Sequence, residues 1–321
     1  MLFYLELKMS RACDSNRRLF LGTVRVYPHN ISHTLIKRTT YRRSDMRTRL
    51  SIFLSSFFIL LFFPFLCTFV FHGAQACTLL QPAKAEKFLP YLLSLQIDDN
   101  KSSEALKTQA VIARSNLNYQ QSQGKSLLEI LKTQFSDILS SPSWYRIFFI
   151  SDSYQNATKS TSGQILTFEN TPCLTPYHEV SCGKTRSGEE VFHNSAFSYL
   201  KSVDSSQDLE APNYFTTQDI ASQQFPSSLE IQKTDSSGYV LTLNADDTTF
   251  SGEYFRHEFG LASSCFSIQK NGDNLRFLCK GQGHGVGLSQ YGAEIMAEDG
   301  STYDEILLWY FPSLMLTTTD F

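Results

Sequence analysis

Four glycines at alternate positions, Gly281, Gly283, Gly285 and Gly287, are interleaved with Gln282, His284 and Val286 and followed by Ser289 and Gln290. Alternate glycines let a chain turn sharply, or let another group come close to its backbone. The imidazole, hydroxyl and amide of His284, Ser289 and Gln290 supply polar groups at one place, for a ligand or simply for a tight strand-to-helix turn. A nucleotide phosphate does not suit the run, because no Lys-Ser/Thr pair follows the glycines and the G-x-G-x-x-G spacing is missing. A second group, Cys173, His178 and Cys182, offers zinc-ligand types in C-x4-H-x3-C spacing, with His193 as a fourth donor. That spacing is not a standard finger, and in an oxidising compartment a Cys173–Cys182 disulfide would use the same thiols. Cys265 and Cys279 flank the segment NGDN, 271–274, and would face each other on a hairpin if the register allows a bridge. Arg114 stands in the apolar stretch AVIARS, where an arginine is either a structural ion-pair partner or a group that holds a ligand.

The elements that must position these residues form an α+β pattern, without the βα alternation of a parallel sheet. LPYLLSLQI, 89–97, suits a buried strand or a helix end. Asp98 to Ser103 is a polar loop with N-cap candidates, so a helix is predicted next; Leu106, Ala110, Val111, Ala113 and Leu117 recur at helical spacing. A second amphipathic helix is predicted over 125–139. Strands are predicted in YRIFFI, 145–150, in GQILTFE, 163–169, in YVLTL, 239–243, and in LRFLCKG, 275–281. The stretch 201–208 reads as a loop. Helices are predicted over 288–298 and 302–310.

The charge is unevenly spread. Of 28 basic and 31 acidic residues, 11 and three lie in 1–50, none lies in 51–76, and 17 and 28 remain for 77–321. An acidic main part excludes nucleic acid as the expected partner, since phosphate binding needs a basic face. Residues 46–76 have the order of a signal: Arg47 and Arg49, the apolar run 51–72, then Ala74-Gln75-Ala76. The alternatives are an uncleaved membrane anchor, for which the run is long enough, and a lipid-bearing Cys77. Each reading puts 77–321 outside the cytoplasm, either free in the periplasm or anchored to the outer face of the membrane. Residues 1–45 are then either a basic extension or a mis-called start, with Met46 standing where the signal would begin.

Several blocks of the chain occur in the order found in a known family. They are EALKTQAVIARS (104–115), PYHEVSCGKT (176–185), YLKSVDSSQDLEAPNY (199–214), FRHEFGLASSCFSI (255–268) and GHGVGLSQYGAEIMAEDGSTYDEILLWYFP (283–312). Together they resemble the stage II sporulation protein D family, also called SpoIID or LytB. The resemblance implies short helices packed on antiparallel strands over 77–321. It also implies lytic transglycosylase chemistry on peptidoglycan glycan strands, often peptide-stripped, in septal or cell-wall remodelling, with an amidase or a division-complex protein as partner. In that chemistry one acid protonates the leaving oxygen, and the muramic 6-hydroxyl closes a 1,6-anhydro end.

The same resemblance places the catalytic acid at the end of a strand before the 104–115 helix, at Gln96. An amide cannot serve as a general acid at neutral pH. The departure leaves three readings: a glycan binder without cleavage, an acid supplied by Asp98 or Asp99, or a shifted alignment. Arg114, Tyr177 and Ser181 match residues that hold the acid or the sugar. Ser289 and Gln290 are expected to steady the glycine turn and line the same cleft, with His284 as either a cleft group or a structural histidine. The family also suggests zinc near Cys173, His178 and Cys182.

Overall fold

The computed structural model describes residues 51–60, 62–63, 85–139, 150–225 and 228–319. The chain divides into two units, Met1–Leu79 and Leu80–Phe321. In the first, residues 51–60 and 62–63 are helical and their large apolar side chains are exposed. The extension predicted over 1–45, and the signal or anchor apart from those helical residues, lie outside the described residues. Among the described residues no helix is long and apolar enough to cross a membrane.

The second unit mixes helices with antiparallel strands. A 3-10 turn, Ala85–Phe88, leads into α1, Leu89–Gln96. The segment 89–97 is therefore helical: Pro90 sits in its first turn, where a missing N–H costs nothing. α2, Ser103–Ser122, is the central element. Ser102 caps it by accepting from the Ala105 N–H at 3.3 Å. Its flanks feed separate apolar clusters. Ala113 and Leu117 pack with Leu89, Leu92 and Ile130. Leu106 and Ala110 pack with Leu93, Ile97 and Tyr154. Val111 and Ile112 join the largest cluster, with Leu166, Leu288 and Phe311. With apolar clusters on several flanks, the stretch 105–115 of α2 is enclosed apart from Lys107, which is how α2 comes to carry the site's inner residues.

α3, Leu127–Leu139, and α4, Asp152–Ser160, follow. The strand predicted over 145–150 falls almost wholly outside the described residues. β1, Gln164–Phe168, pairs antiparallel with both β2, Thr171–Pro172, and the C-terminal strand Met315–Thr318. β3, Tyr177–His178, precedes the short α5, Gly188–Phe192. The loop predicted over 201–208 includes the start of a 3-10 turn, Ser206–Glu210.

A second lobe of this unit holds two three-stranded antiparallel sheets. β4, Phe215–Ala221, β5, Leu229–Thr234, β6, Val240–Ala245, and β7, Thr248–Ser251, come first. Then comes α6, Gly252–Phe259; Ser251 caps it and Gly260 ends it in the left-handed region. β8, Phe266–Asn271, and β9, Asn274–Lys280, form a hairpin. Phe225, Phe255, Phe266 and Phe277 fill the space between, with neighbouring rings 5.6–6.0 Å apart. The buried Arg186 ties this lobe to the first, through Asp235 and Glu253, and lies over the Tyr239 ring at 4.7 Å. β10, Leu288–Ser289, α7, Gln290–Glu298, α8, Tyr303–Tyr310, and β11, Met315–Thr318, complete the unit.

Candidate functional site

The end of α1, the inner face of α2 and the start of α7 meet in three glutamines. The Gln290 amide nitrogen donates to the backbone carbonyl of Gln96 at 2.8 Å and to the Gln109 side-chain oxygen at 3.2 Å. Gln109 then donates from its own amide nitrogen to the Gln96 side-chain oxygen at 2.8 Å. The sense of this relay is fixed at one end, because a backbone carbonyl only accepts. The atom of Gln290 facing it must be nitrogen, so Gln109 presents oxygen to Gln290 and N–H groups to position 96. The site thus demands an acceptor at residue 96 and turns the Gln96 amide nitrogen away from the relay. Gln96 is half-buried, and Asp98 and Asp99 just after it are exposed.

Gln290 can reach this place because of what holds its neighbour. Ser289 caps α7 by accepting from the Gly292 N–H at 3.2 Å, and donates to the Asp208 carboxylate at 2.8 Å. Asp208 is fully buried and also accepts from the Ser181 N–H at 2.8 Å and the Ser205 hydroxyl at 3.0 Å. Burial pushes its carboxyl above the usual range, opposed by the donors around it. Ser205 in turn lies 2.8 Å from the Tyr310 hydroxyl. The Ser181 hydroxyl accepts from the Gly183 N–H at 3.1 Å and is wholly buried. Ser181 and Ser289 therefore sit in the internal anchor of the 176–185 loop.

The glycine run lies along that same loop. Leu288 and Ser289 pair in parallel with Tyr177 and His178, and Val180 exchanges backbone hydrogen bonds with Gln282. Gly285 and Gly287 have φ of 75° and 77°. A Cβ at Gly285 would lie 2.4 Å from the Tyr239 ring, and one at Gly287 2.1 Å from the Pro176 carbonyl oxygen. The groups that come close to the glycine backbone are the chain's own.

His178 and His284 face each other from these two segments, ring centroids 5.8 Å apart. His284 Nδ1 accepts from the Val286 N–H, and His178 Nδ1 lies 3.2 Å from the Val286 carbonyl. His178 Nε2 is buried with no partner among the described residues. Burial lowers both imidazoles to about 3, so both are neutral at pH 7. Tyr177, half-buried in β3, has its hydroxyl pushed well above its ordinary value by burial.

Arg114 belongs to a different place. It is fully buried, and all its N–H groups are directed inward. Its Nε and Nη2 grip the Glu86 carboxylate at 2.7 and 3.1 Å, and its other donors reach Thr161 and the carbonyls of Thr158 and Gln164. This is an ion pair that closes α1, α2 and α4 around the N-terminal turn.

The zinc-type residues do not come together. Among the described residues no group of three or more His, Cys, Asp and Glu could hold a metal ion. Cys173 is buried against the Leu166 carbonyl, and burial raises its thiol to about 12. Cys182 turns to the Ser237 carbonyl at 3.1 Å, and His193 is exposed at the end of α5. Both cysteines are free thiols. The Cys265–Cys279 bridge is also corrected: Cys279 is opposite Phe266, one rung from Cys265, so the two side chains point to opposite faces of the hairpin.

Sequence reasoning missed Gln109 and Asp208. Gln109 carried a signal, a polar residue in the middle of the apolar face of α2. Asp208 had none beyond lying in the block 199–214.

A family model described as stage II sporulation protein matches residues 74–168. The chain is 32% identical to stage II sporulation protein D of Bacillus amyloliquefaciens over 241 residues, 68% of this chain and 69% of that protein. It is 34% identical to the Bacillus subtilis protein of the same name over 176 residues, so that match spans about half of each chain. It is also 41% identical over 56 residues to a Bacillus subtilis protein named amidase enhancer, 8% of that protein's length.

Proposed function

Because the chain belongs to the stage II sporulation protein D family, we propose that it is an exported cell-wall protein that binds peptidoglycan glycan strands at the surface around Gln96. The amide relay carries this reading. Gln290 and Gln109 orient Gln96 so that its amide nitrogen keeps donors for a ligand. A sugar strand is a dense array of hydroxyl and acetamido acceptors, which amide donors suit without any proton transfer. Exposed Asp98 and Asp99 add acceptors for sugar hydroxyls just beyond the end of α1. An amidase is the partner proposed with it, on the strength of the short match to the protein named amidase enhancer.

The test uses purified protein with peptide-stripped glycan strands and with intact peptidoglycan. Retention on the stripped strands, without new 1,6-anhydro-muramic ends by mass spectrometry, is the expected result. Failure to bind either polymer removes the reading. A second reading, cleavage with Asp98 as the acid, is favoured by the exposure of Asp98 two residues beyond Gln96. Anhydro ends that vanish in Asp98→Asn would establish it.

A further inference from the structure

Two cysteines far apart in sequence meet at one turn. Cys182 leaves the 176–185 loop and puts its Sγ 3.1 Å from the carbonyl of Ser237. Cys265, at the entry to β8, puts its Sγ 4.0 Å from where a Cβ on Gly238 would stand. The two sulfurs thus lie against adjacent residues of one turn, Ser237 and Gly238. Neither has a bonded partner, and the other described cysteines point elsewhere: Cys173 to the Leu166 carbonyl, Cys279 into the phenylalanine cluster. Cys182 is half-buried, whereas Cys265 is buried.

We propose that Cys182 and Cys265 are an oxidation site, a dithiol that a disulfide oxidant of the thiol–disulfide exchange type closes into an intramolecular bridge. The Cys182 thiolate attacks one sulfur of the oxidant's disulfide, forms a mixed disulfide and releases one oxidant thiolate. The Cys265 thiolate then attacks the Cys182 sulfur and releases the second. The protein gives up two protons and two electrons, and the oxidant becomes two thiols. The bridge fastens the loop that carries Ser181 to the hairpin of the second lobe, beside the backbone N–H of Cys182 that already donates to Tyr239 at 3.0 Å. It is independent of what the Gln96 surface binds.

The experiment takes the full chain, reduced and then exposed to oxidised glutathione, with remaining thiols alkylated. Digestion with trypsin and a Glu-specific protease separates Cys173 from Cys182 by cutting after Glu179. A linked pair of segments 180–184 and 259–270 is expected, absent in Cys182→Ser and in Cys265→Ser and retained in Cys173→Ser. Oxidised Cys173→Ser should melt roughly 5–10 °C above its reduced form, from the large loop the bridge closes. Alkylation of both residues after oxidation, a bridge from Cys182 to any other cysteine, or only mixed disulfides with glutathione would overturn the proposal. The Cys173→Ser result keeps it testable if a bridge variant folds poorly.

Discussion

Replacing Gln96 by glutamate tests the site most directly. The two side chains have the same shape, and the relay dictates which atom of residue 96 it meets. Gln290 is anchored on the Gln96 backbone carbonyl, Gln109 is oriented by Gln290, and Gln109 offers an N–H at 2.8 Å. A carboxylate oxygen accepts that N–H as well as the amide oxygen does. A neutral hydrogen bond contributes about 1 kcal/mol and one to a charged group about 1.5–3 kcal/mol. Residue 96 is only half-buried, so desolvation of the new charge offsets part of this gain. The net change in stability is expected within about 1 kcal/mol, a melting shift of roughly 2–4 °C or less. The functional change is expected to be far larger, since a positioned general acid contributes roughly 100- to 10,000-fold. Release of 1,6-anhydro-muramic ends from peptide-stripped glycan, followed by mass spectrometry, should rise by that factor over the parent. If Gln96→Glu melts within a few degrees of the parent, still binds glycan, and shows no rise in anhydro ends, position 96 is not where this protein would hold an acid. A loss of stability of several kcal/mol would instead refute the relay.

Glu86→Ala strands Arg114 as a buried unpaired charge, and a loss of roughly 3–5 kcal/mol is expected in urea unfolding; little loss of stability with loss of glycan binding would return Arg114 to the binding surface. Gly287→Ala forces a Cβ to within 2.1 Å of the Pro176 oxygen at a positive φ, and should cost roughly 2–5 kcal/mol by the same assay. His178 and His284 bind protons less readily folded, at about 3, than unfolded, at about 6.5. Their contribution is therefore complete above pH 6.5 and is lost as pH falls from there toward 3. Each weakens the fold by about 1.4 kcal/mol per pH unit in that window. Urea midpoints at pH 7 and 5 should differ more in the parent than in His178→Gln, and equal differences would contradict the burial of His178.

The local patterns of the chain were legible without its fold. Helical spacing and a serine cap mark α2, glycine alternation marks the tight pairing before α7, and the ordered blocks identify the family. These are short-range properties, set by side-chain periodicity and backbone sterics within a few residues. A fully apolar run such as 89–97 has no period to separate strand from helix, and neighbours on α2 and α4 decided it. Partner choice was likewise invisible. The sequence lets Arg114 face either a carboxylate or a ligand, and only the packing of α1 on α2 delivers Glu86 to it. Cys182 has Cys173 nine residues away in the chain, yet lies with Cys265 at the turn of Ser237 and Gly238, where the fold brings the 176–185 loop against the other lobe. Gln96 could be read from the sequence as a missing acid. What it does in place of one depends on Gln109 and Gln290, brought to it from 13 and 194 residues away, a closure that only the folded core supplies.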